Sequence, residues 1–440
     1  MAQSVLSFSV ESTGEMLTSN SGTILFGEYL KAIKFDQLCN TFLPLPKSNR
    51  GYLPFEHIHP LILMLHSGGR VLDDLRYIRQ DKGLQETLKI KHIPLSQSTG
   101  NWLWRHGLSG VYGMEKINRS LLKRHLKNIT APLILDIDAS LIHSQKRTTE
   151  TTYKMFPGYA PMIGHINGGF VLHSEFRPGN IAPADHNLTF LKRCEEQLPA
   201  GRHISFFRAD SASYQAALFN YCNQNGITYT VGAQLDSSVL ENIQQITQWD
   251  SLKLTEGTAH HLKEEVGEFL HTMTHTDHAF RLIVVKKTVT PMLPELWDML
   301  SEEEKIALSQ ERYSVIATNA DESISAQEIV AFYRKRGDRS ENRIKELKNG
   351  FNLSYLPSSD FISNAFYFQI GVIAYNLFIL FKKILQHSWQ KHTVSTIRYK
   401  FYHTAGKVIR HSRRTILKIA HETTALFHKI RRRIYRASLE

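Results

Sequence analysis

Hydrophobic and polar positions repeat at helical spacing in the first part of this chain and alternate at strand spacing after it. "FEHIHPLILMLHSG" is apolar on a helical period and stops at Gly68 and Gly69, and "RVLDDLRYIRQDKGLQETL" supplies two further short helices. After Pro94 the polar stretch "SQSTGN" can cap a helix carrying Trp102, Trp104 and Arg105. Short helices joined by tight polar turns suit a helix-turn-helix module or a plain helical packing domain. From Pro132 the texture is strand, helix, strand. "LILDIDAS" reads as a strand, and "MIGHINGGFVLHSEFRPG" as two more around Asn167-Gly168-Gly169. "DHNLTFLKRCEEQL" is a helix, "HISFFRAD" a strand, "SASYQAALFNYCNQNG" a helix ended by Gly226, and "ITYTVGA" a strand.

A β-rich stretch from about Trp249 to Asn319 follows, with "GEFLHTM", "FRLIVVKKTV" and "RYSVIATN" as strands. "SAQEIVAFYRKRGDRSENRIKELKNGF" then runs helix, Gly337 break, helix. Hairpin strands, a helix and then parallel strands is the order of a ribonuclease H-like fold. The fold class expected is therefore α/β, with a ribonuclease H-like core, a β-rich insertion, a helical N-terminal region and a basic helical C-terminal region. "FISNAFYFQIGVIAYNLFILF" is long enough to cross a membrane but carries Gln369 and Asn376, and is read as a buried core helix.

Charge changes the picture at one end. From Lys391 to Glu440 there are 13 basic residues against two acidic ones, within a chain of net charge +12, so the first 390 residues are almost neutral. A basic, helix-forming tail beside a balanced body is the footprint of a nucleic-acid binder. The segments expected are 1–125, a helical DNA-binding region; 126–235, the first part of the core; 236–320, the β-rich insertion; 321–385, the rest of the core with the buried helix; and 386–440, the basic helical tail. Cys39, Cys194 and Cys222 show no paired spacing, which argues against a disulfide framework or a zinc ribbon and for a reducing compartment. "MAQSVLSFSVESTGEM" has no basic-apolar leader pattern, so the expected location is the cytoplasm, at the nucleoid, with no membrane partner. No Gly-rich phosphate loop, dinucleotide fingerprint or nucleophile elbow occurs.

Candidate chemistry rests on carboxylates. Asp138 closes one strand, Asp210 closes another, and Glu341 opens a helix-like segment. An α/β sheet gathers reactive groups at the carboxyl ends of its strands, so these distant acids can meet. Three close carboxylates need a cation between them, which points to Mg²⁺ or Mn²⁺ and to phosphoryl chemistry. Asp136 shares a strand face with Asp138 and is the alternative first ligand. Glu341, Lys345 and Lys348 fall on one helical face, and Tyr333, Arg336 and Arg339 precede or flank them as candidate phosphate-binding groups.

The phrases "LDIDAS", "YAPMIGHINGGFVLHSEFRPGNIAP", "FRADSASYQ" and "ENRIKELKNGF" together resemble a DDE-type transposase of a bacterial insertion sequence, over roughly residues 50–385. The group resembled carries Tyr, Arg, Glu and Lys in order on its third-carboxylate helix. In that family a hydroxyl residue closely follows the first Asp, which matches Asp138 with Ser140, while Asp210 and Glu341 match the second and third acids. Glu341 to Lys348 keeps the family spacing, whereas Tyr333 and Arg336 lie one residue too far upstream, leaving the arginine role open between Arg336 and Arg339. The resemblance implies an enzyme that binds the terminal inverted repeats of its element, cuts double-stranded DNA there and joins the freed 3′-hydroxyl to target DNA. It implies two Mg²⁺ or Mn²⁺ ions about 3.5–4 Å apart, and a dimer when two ends are paired. The other readings are a non-catalytic DNA-binding protein derived from a transposase, and a ribonuclease H-like nuclease that cuts without joining.

Overall fold

A computed structural model describes residues 6, 8–127, 129–252, 261–289, 300–301, 304, 310–337 and 341–439. The chain forms two compact units, Asn118–Lys345 and the pair of segments Met1–Ile117 and Glu346–Glu440.

The unit Asn118–Lys345 is built on a mixed sheet. Its elements are β1 (Leu133–Ala139), β2 (Met162–Ile166), β3 (Val171–Glu175), α1 (Asn187–Glu196), β4 (Ile204–Ala209), α2 (Ala216–Gln224), β5 (Thr228–Gly232), α3 (Ser237–Gln244), β6 (Asp250–Ser251), β7 (His261–His271), β8 (Phe280–Val289), β9 (Gln310–Thr318) and α4 (Ala326–Arg336). The strand order is β6-β7-β8-β9-β5-β4-β1-β2-β3. β1, β4 and β5 are parallel neighbours, while β1, β2 and β3 form an antiparallel meander. The inserted strands extend the same sheet, because β9 pairs antiparallel with β5.

Local sequence explains the layout. Leu133, Leu135, Ile137, Phe207, Tyr229 and Val231 are buried and hold the three central strands between covering layers. Gly168 and Gly169 turn β2 into β3 with φ of 88° and 93°, a region that disfavours side chains. Asn167 ties that turn to the start of β1, its Nδ2 donating to Pro132 O at 3.1 Å and its Oδ1 accepting from Ile134 N at 3.2 Å. α4 begins at a capping box, Ser325 with Glu328, and lays Ile329 and Val330 on Val266, Ile283, Val285 and Ile316.

The other unit joins both ends of the chain. Its longest apolar helix, Phe361–Ile384, has 94% of its most apolar window buried. His66 sits in the same core, Nδ1 at 3.0 Å from the Tyr402 hydroxyl and Nε2 at 3.0 Å from Ala374 O. Burial pulls its pKa down to about 3, so it is a neutral packing residue. Met16–Thr18 pairs with Gly406–His411, which pairs with Arg414–Ile419. The helix His421–Leu439 buries Phe427, Ile430 and Ile434.

Two expectations need correction here. The C-terminal region is not wholly helical, since Gly406–Ile419 is a hairpin. Val408, Ile409, Thr415 and Ile416 favour strands, and Ser412 and Arg413, at φ 49° and 62°, close a two-residue turn. The segment after Glu341 does not keep one α-helical face either. Asn342–Lys345 is a single α-turn, and Glu346–Gly350 winds as a π-helix, so the seven-residue spacing to Lys348 loses its α-helical meaning. Lys348 belongs to the unit formed by the chain ends, and Glu341 and Lys345 to the other.

Candidate active site

Register places the two strand-end acids. Asp136 on β1 lies opposite Arg208 on the parallel neighbour β4. Asp138 and Asp210 each stand two residues beyond that pair, so both leave the sheet at the carboxyl ends of adjacent strands. Asp210 is half-buried and caps the short 3-10 turn Ser211–Ser213, its Oδ1 accepting from Ala212 N at 3.2 Å.

The buried pair behind them is a fixed brace. Arg208 donates from Nε to Asp136 Oδ1 at 2.6 Å and from Nη2 to Oδ2 at 2.8 Å. Its Nη1 donates to Phe332 O at 2.6 Å, and its guanidinium lies 4.6 Å from the Phe332 ring centroid. One side chain thus ties β1, β4 and α4 together. Asp136, the alternative first ligand of the sequence reading, has both oxygens engaged by this fork.

Asp138 is differently placed. Its side chain is 19% exposed, and the Arg336 Nη2 stands 3.5 Å from its Oδ2. The same Nη2 donates to Ile137 O at 3.2 Å, while Arg336 Nε is buried with no hydrogen-bond partner among the described residues. Burial pushes the Asp138 carboxyl up to about 6, with Asp210 and Glu341 adding to the rise and Arg336 opposing it. Asp138, Asp210 and Glu341 therefore share one electrostatic neighbourhood. Among the described residues, no three His, Cys, Asp or Glu side chains stand close enough to hold one metal ion.

α4 brings the aromatic and cationic groups. Tyr333 is half-buried, and a β-carbon at Gly232 would come within 2.8 Å of its hydroxyl and 3.1 Å of Ser211 N. Gly232 thus lets the hydroxyl settle beside the Asp210 turn. Burial raises the Tyr333 pKa, Arg336 lowers it, and Asp210, Asp138 and Glu341 raise it further. Glu341 and Lys345 are exposed, and Glu341 Oε1 lies 4.0 Å from where a Gly337 β-carbon would stand. Arg339 lies outside the described residues. Arg334 turns away to Glu264 at 2.8 Å.

Arg208 and Gly232 were not singled out in the sequence. The signal for Arg208 was parity: "RAD" repeats the two-residue offset of "DID", which pairs Arg208 with Asp136 once the strands are parallel. Gly232 had no such signal, because its crowding comes from Tyr333, a hundred residues later in the chain.

A family model described as transposase DDE domain group 1 matches residues 3–439. No curated protein matches the chain.

Proposed function

The chain belongs to the transposases with a DDE domain of group 1, enzymes acting on DNA, and from that premise we propose that it cuts DNA at the ends of a mobile element and joins them to a target. Asp138, Asp210 and Glu341 are the catalytic acids of this reading. The observation that carries it is the parallel pairing of β1 and β4, at whose carboxyl ends Asp138 and Asp210 lie, together with the upward push of Asp210 and Glu341 on the Asp138 pKa. The sheet order β3-β2-β1-β4-β5 with its parallel centre supports a ribonuclease H-like core around them.

By donor chemistry the three acids suit hard divalent cations, all being carboxylates, although they do not stand within reach of one ion in this structure. Two Mg²⁺ or Mn²⁺ held there would supply Lewis-acid activation of a water or 3′-hydroxyl and stabilise the leaving oxygen of an in-line displacement. The chain's own groups do the rest. Asp136 and Arg208 keep β1 and β4 in register beneath the acids. Arg336 offsets the charge of Asp138, and Tyr333 holds its hydroxyl over Gly232 beside the Asp210 turn. Lys345 and Lys348 provide cationic contacts for DNA phosphates. Lys429, Arg432 and Arg436, on the exposed face of the helix His421–Leu439, add affinity through counterion release.

The test is cleavage of duplex DNA carrying the element's terminal repeats, in Mg²⁺ or Mn²⁺. Asp138→Ala, Asp210→Ala and Glu341→Ala each abolish cleavage and leave duplex binding largely intact. A triple-alanine variant that still nicks DNA overturns the assignment. A wild-type chain that cuts but cannot join a pre-cut end is a nuclease, and one that binds duplex without cutting or binding Mn²⁺ is a DNA-binding derivative.

A further inference from the structure

The helix Ser96–Lys127 buries Trp102 and leaves Trp104 68% exposed. A cavity of about 1080 Å³ opens beside Trp104, walled also by Pro44, Leu45 and Pro46. Lys47 and Arg105 bring positive charge to its wall, and no carboxylate lines it among the described residues. Neither cation has an ion-pair partner among those residues, although Arg105 Nε donates to Asn101 O at 3.3 Å.

The inner wall is aromatic and incompletely satisfied. His57 stacks on Trp102, with ring centroids 4.6 Å apart and planes 8° from parallel, and Tyr52 meets His57 edge-on at 5.6 Å. His57 is only 4% exposed, and its buried Nδ1 has no hydrogen-bond partner among the described residues. A buried polar atom left in that state costs free energy. Burial first, then Arg105 and His106, pull the His57 pKa down to about 3. Near neutral pH the ring is therefore uncharged and carries one donor and one acceptor nitrogen.

We propose that this cleft, with Lys47, Tyr52, His57, Trp102, Trp104 and Arg105 on its wall, binds an unstacked base of single-stranded DNA together with its backbone phosphates. Two features call for one ligand chemistry. An exposed indole offers a stacking platform to any base, and the cations, without ion-pair partners among the described residues, fit phosphate. A duplex does not satisfy the site, because its base faces are already stacked. The cavity lies at the upper end of the size range of small-molecule clefts, roughly 300–1,000 Å³, so it holds a base with its sugar and flanking phosphate. The proposal rests on the DNA-cutting reading only for the source of the strand, which a cut end supplies.

The experiment titrates full-length protein with a single-stranded oligonucleotide containing 2-aminopurine, alongside a duplex of equal length and an abasic strand. Stacking quenches both the probe and the protein's tryptophan emission in the wild type. Trp104→Ala weakens single-strand binding by roughly ten- to a hundredfold, Trp104→Phe restores most of it, and duplex binding is unchanged in both. Because Trp104 is exposed, the alanine variant keeps its fold, which circular dichroism verifies. Equal affinity of wild type and Trp104→Ala, or equal affinity for the abasic strand, overturns the proposal. If that happens while the wild type still cuts duplex DNA, only the cleft is refuted. If Trp104-dependent binding persists in a chain that cuts nothing, the cleft stands and the catalytic reading falls.

Discussion

Two aspartates on one strand, two residues apart, have opposite energetic characters. Asp136 is buried in a bidentate pair with Arg208, so Asp136→Ala leaves a guanidinium uncompensated and should cost about 3–5 kcal/mol. Asp138 is held up to about 6, so above that pH its ionisation opposes folding of the metal-free protein. The effect is absent below about pH 4, where both states are protonated, and it grows as pH rises through 6. Asp138→Asn should therefore stabilise the metal-free protein at pH 7.5, by at most on the order of 2–3 kcal/mol, and change nothing near pH 4. Thermal melts of both variants across pH check this, and equal signs for the two substitutions would refute the division of roles. The sequence showed that both aspartates share a face but not which of them is locked in a bidentate fork. That distinction depends on Arg208, which lies 72 residues on and meets Asp136 only through strand pairing. Asp138 and Asp210 were legible because each ends an apolar strand, a local property. The proximity of Tyr333 to Gly232 was not legible, since it arises from the packing of α4 on the sheet.

At the scale of elements, the strands from Leu133 to Gly232 were readable because each is an apolar run bounded by turn residues. The hairpin Gly406–Ile419 was hidden by its charge, which suggested a basic helix, and by a turn lacking the usual Asn-Gly. Ser412 and Arg413 occupy left-handed backbone conformations that cost about 1–2 kcal/mol per residue for side-chain-bearing positions. Arg413→Gly relieves one of them, so it should raise stability by about 0.5–1 kcal/mol in denaturant titration. The same substitution removes an exposed cation, so the slope of log affinity for duplex DNA against log salt should become shallower by about one unit. A variant that is more stable with an unaltered salt slope would show that the tip stays clear of DNA. The π-turn at Glu346–Gly350 was invisible for a different reason. "ELKNG" is ordinary helix-forming composition up to its glycine, and the winding is fixed by tertiary bonds such as Val394 N donating to Glu346 Oε1 at 2.6 Å.

For the whole molecule, the basic end is less an appendage than its composition suggested. Gly406–His411 supplies the partner of Met16–Thr18, Arg431 forks onto Glu28 with contacts of 2.8–3.0 Å, and Arg433 caps Ile384 O and Leu385 O at 2.7 Å. Such long-range pairing cannot be read from local periodicity. A chain ending at residue 390 should lose more than DNA affinity. Its segment 1–117 becomes protease-sensitive while 118–345 stays protected, and limited proteolysis with mass mapping distinguishes this from a dispensable tail, which would leave both resistant. The interleaving also has a temporal side. On a translating ribosome the unit 118–345 is synthesised about 94 residues (439 − 345) before the helix His421–Leu439 is complete. At roughly 5–20 residues per second, the amino-terminal segment waits for tens of seconds without the strand and helix that close it. Newly made protein thus passes through an interval in which the carboxylate-bearing half is formed and its companion is not, and the apolar faces exposed in that interval are those a chaperone would have to shield.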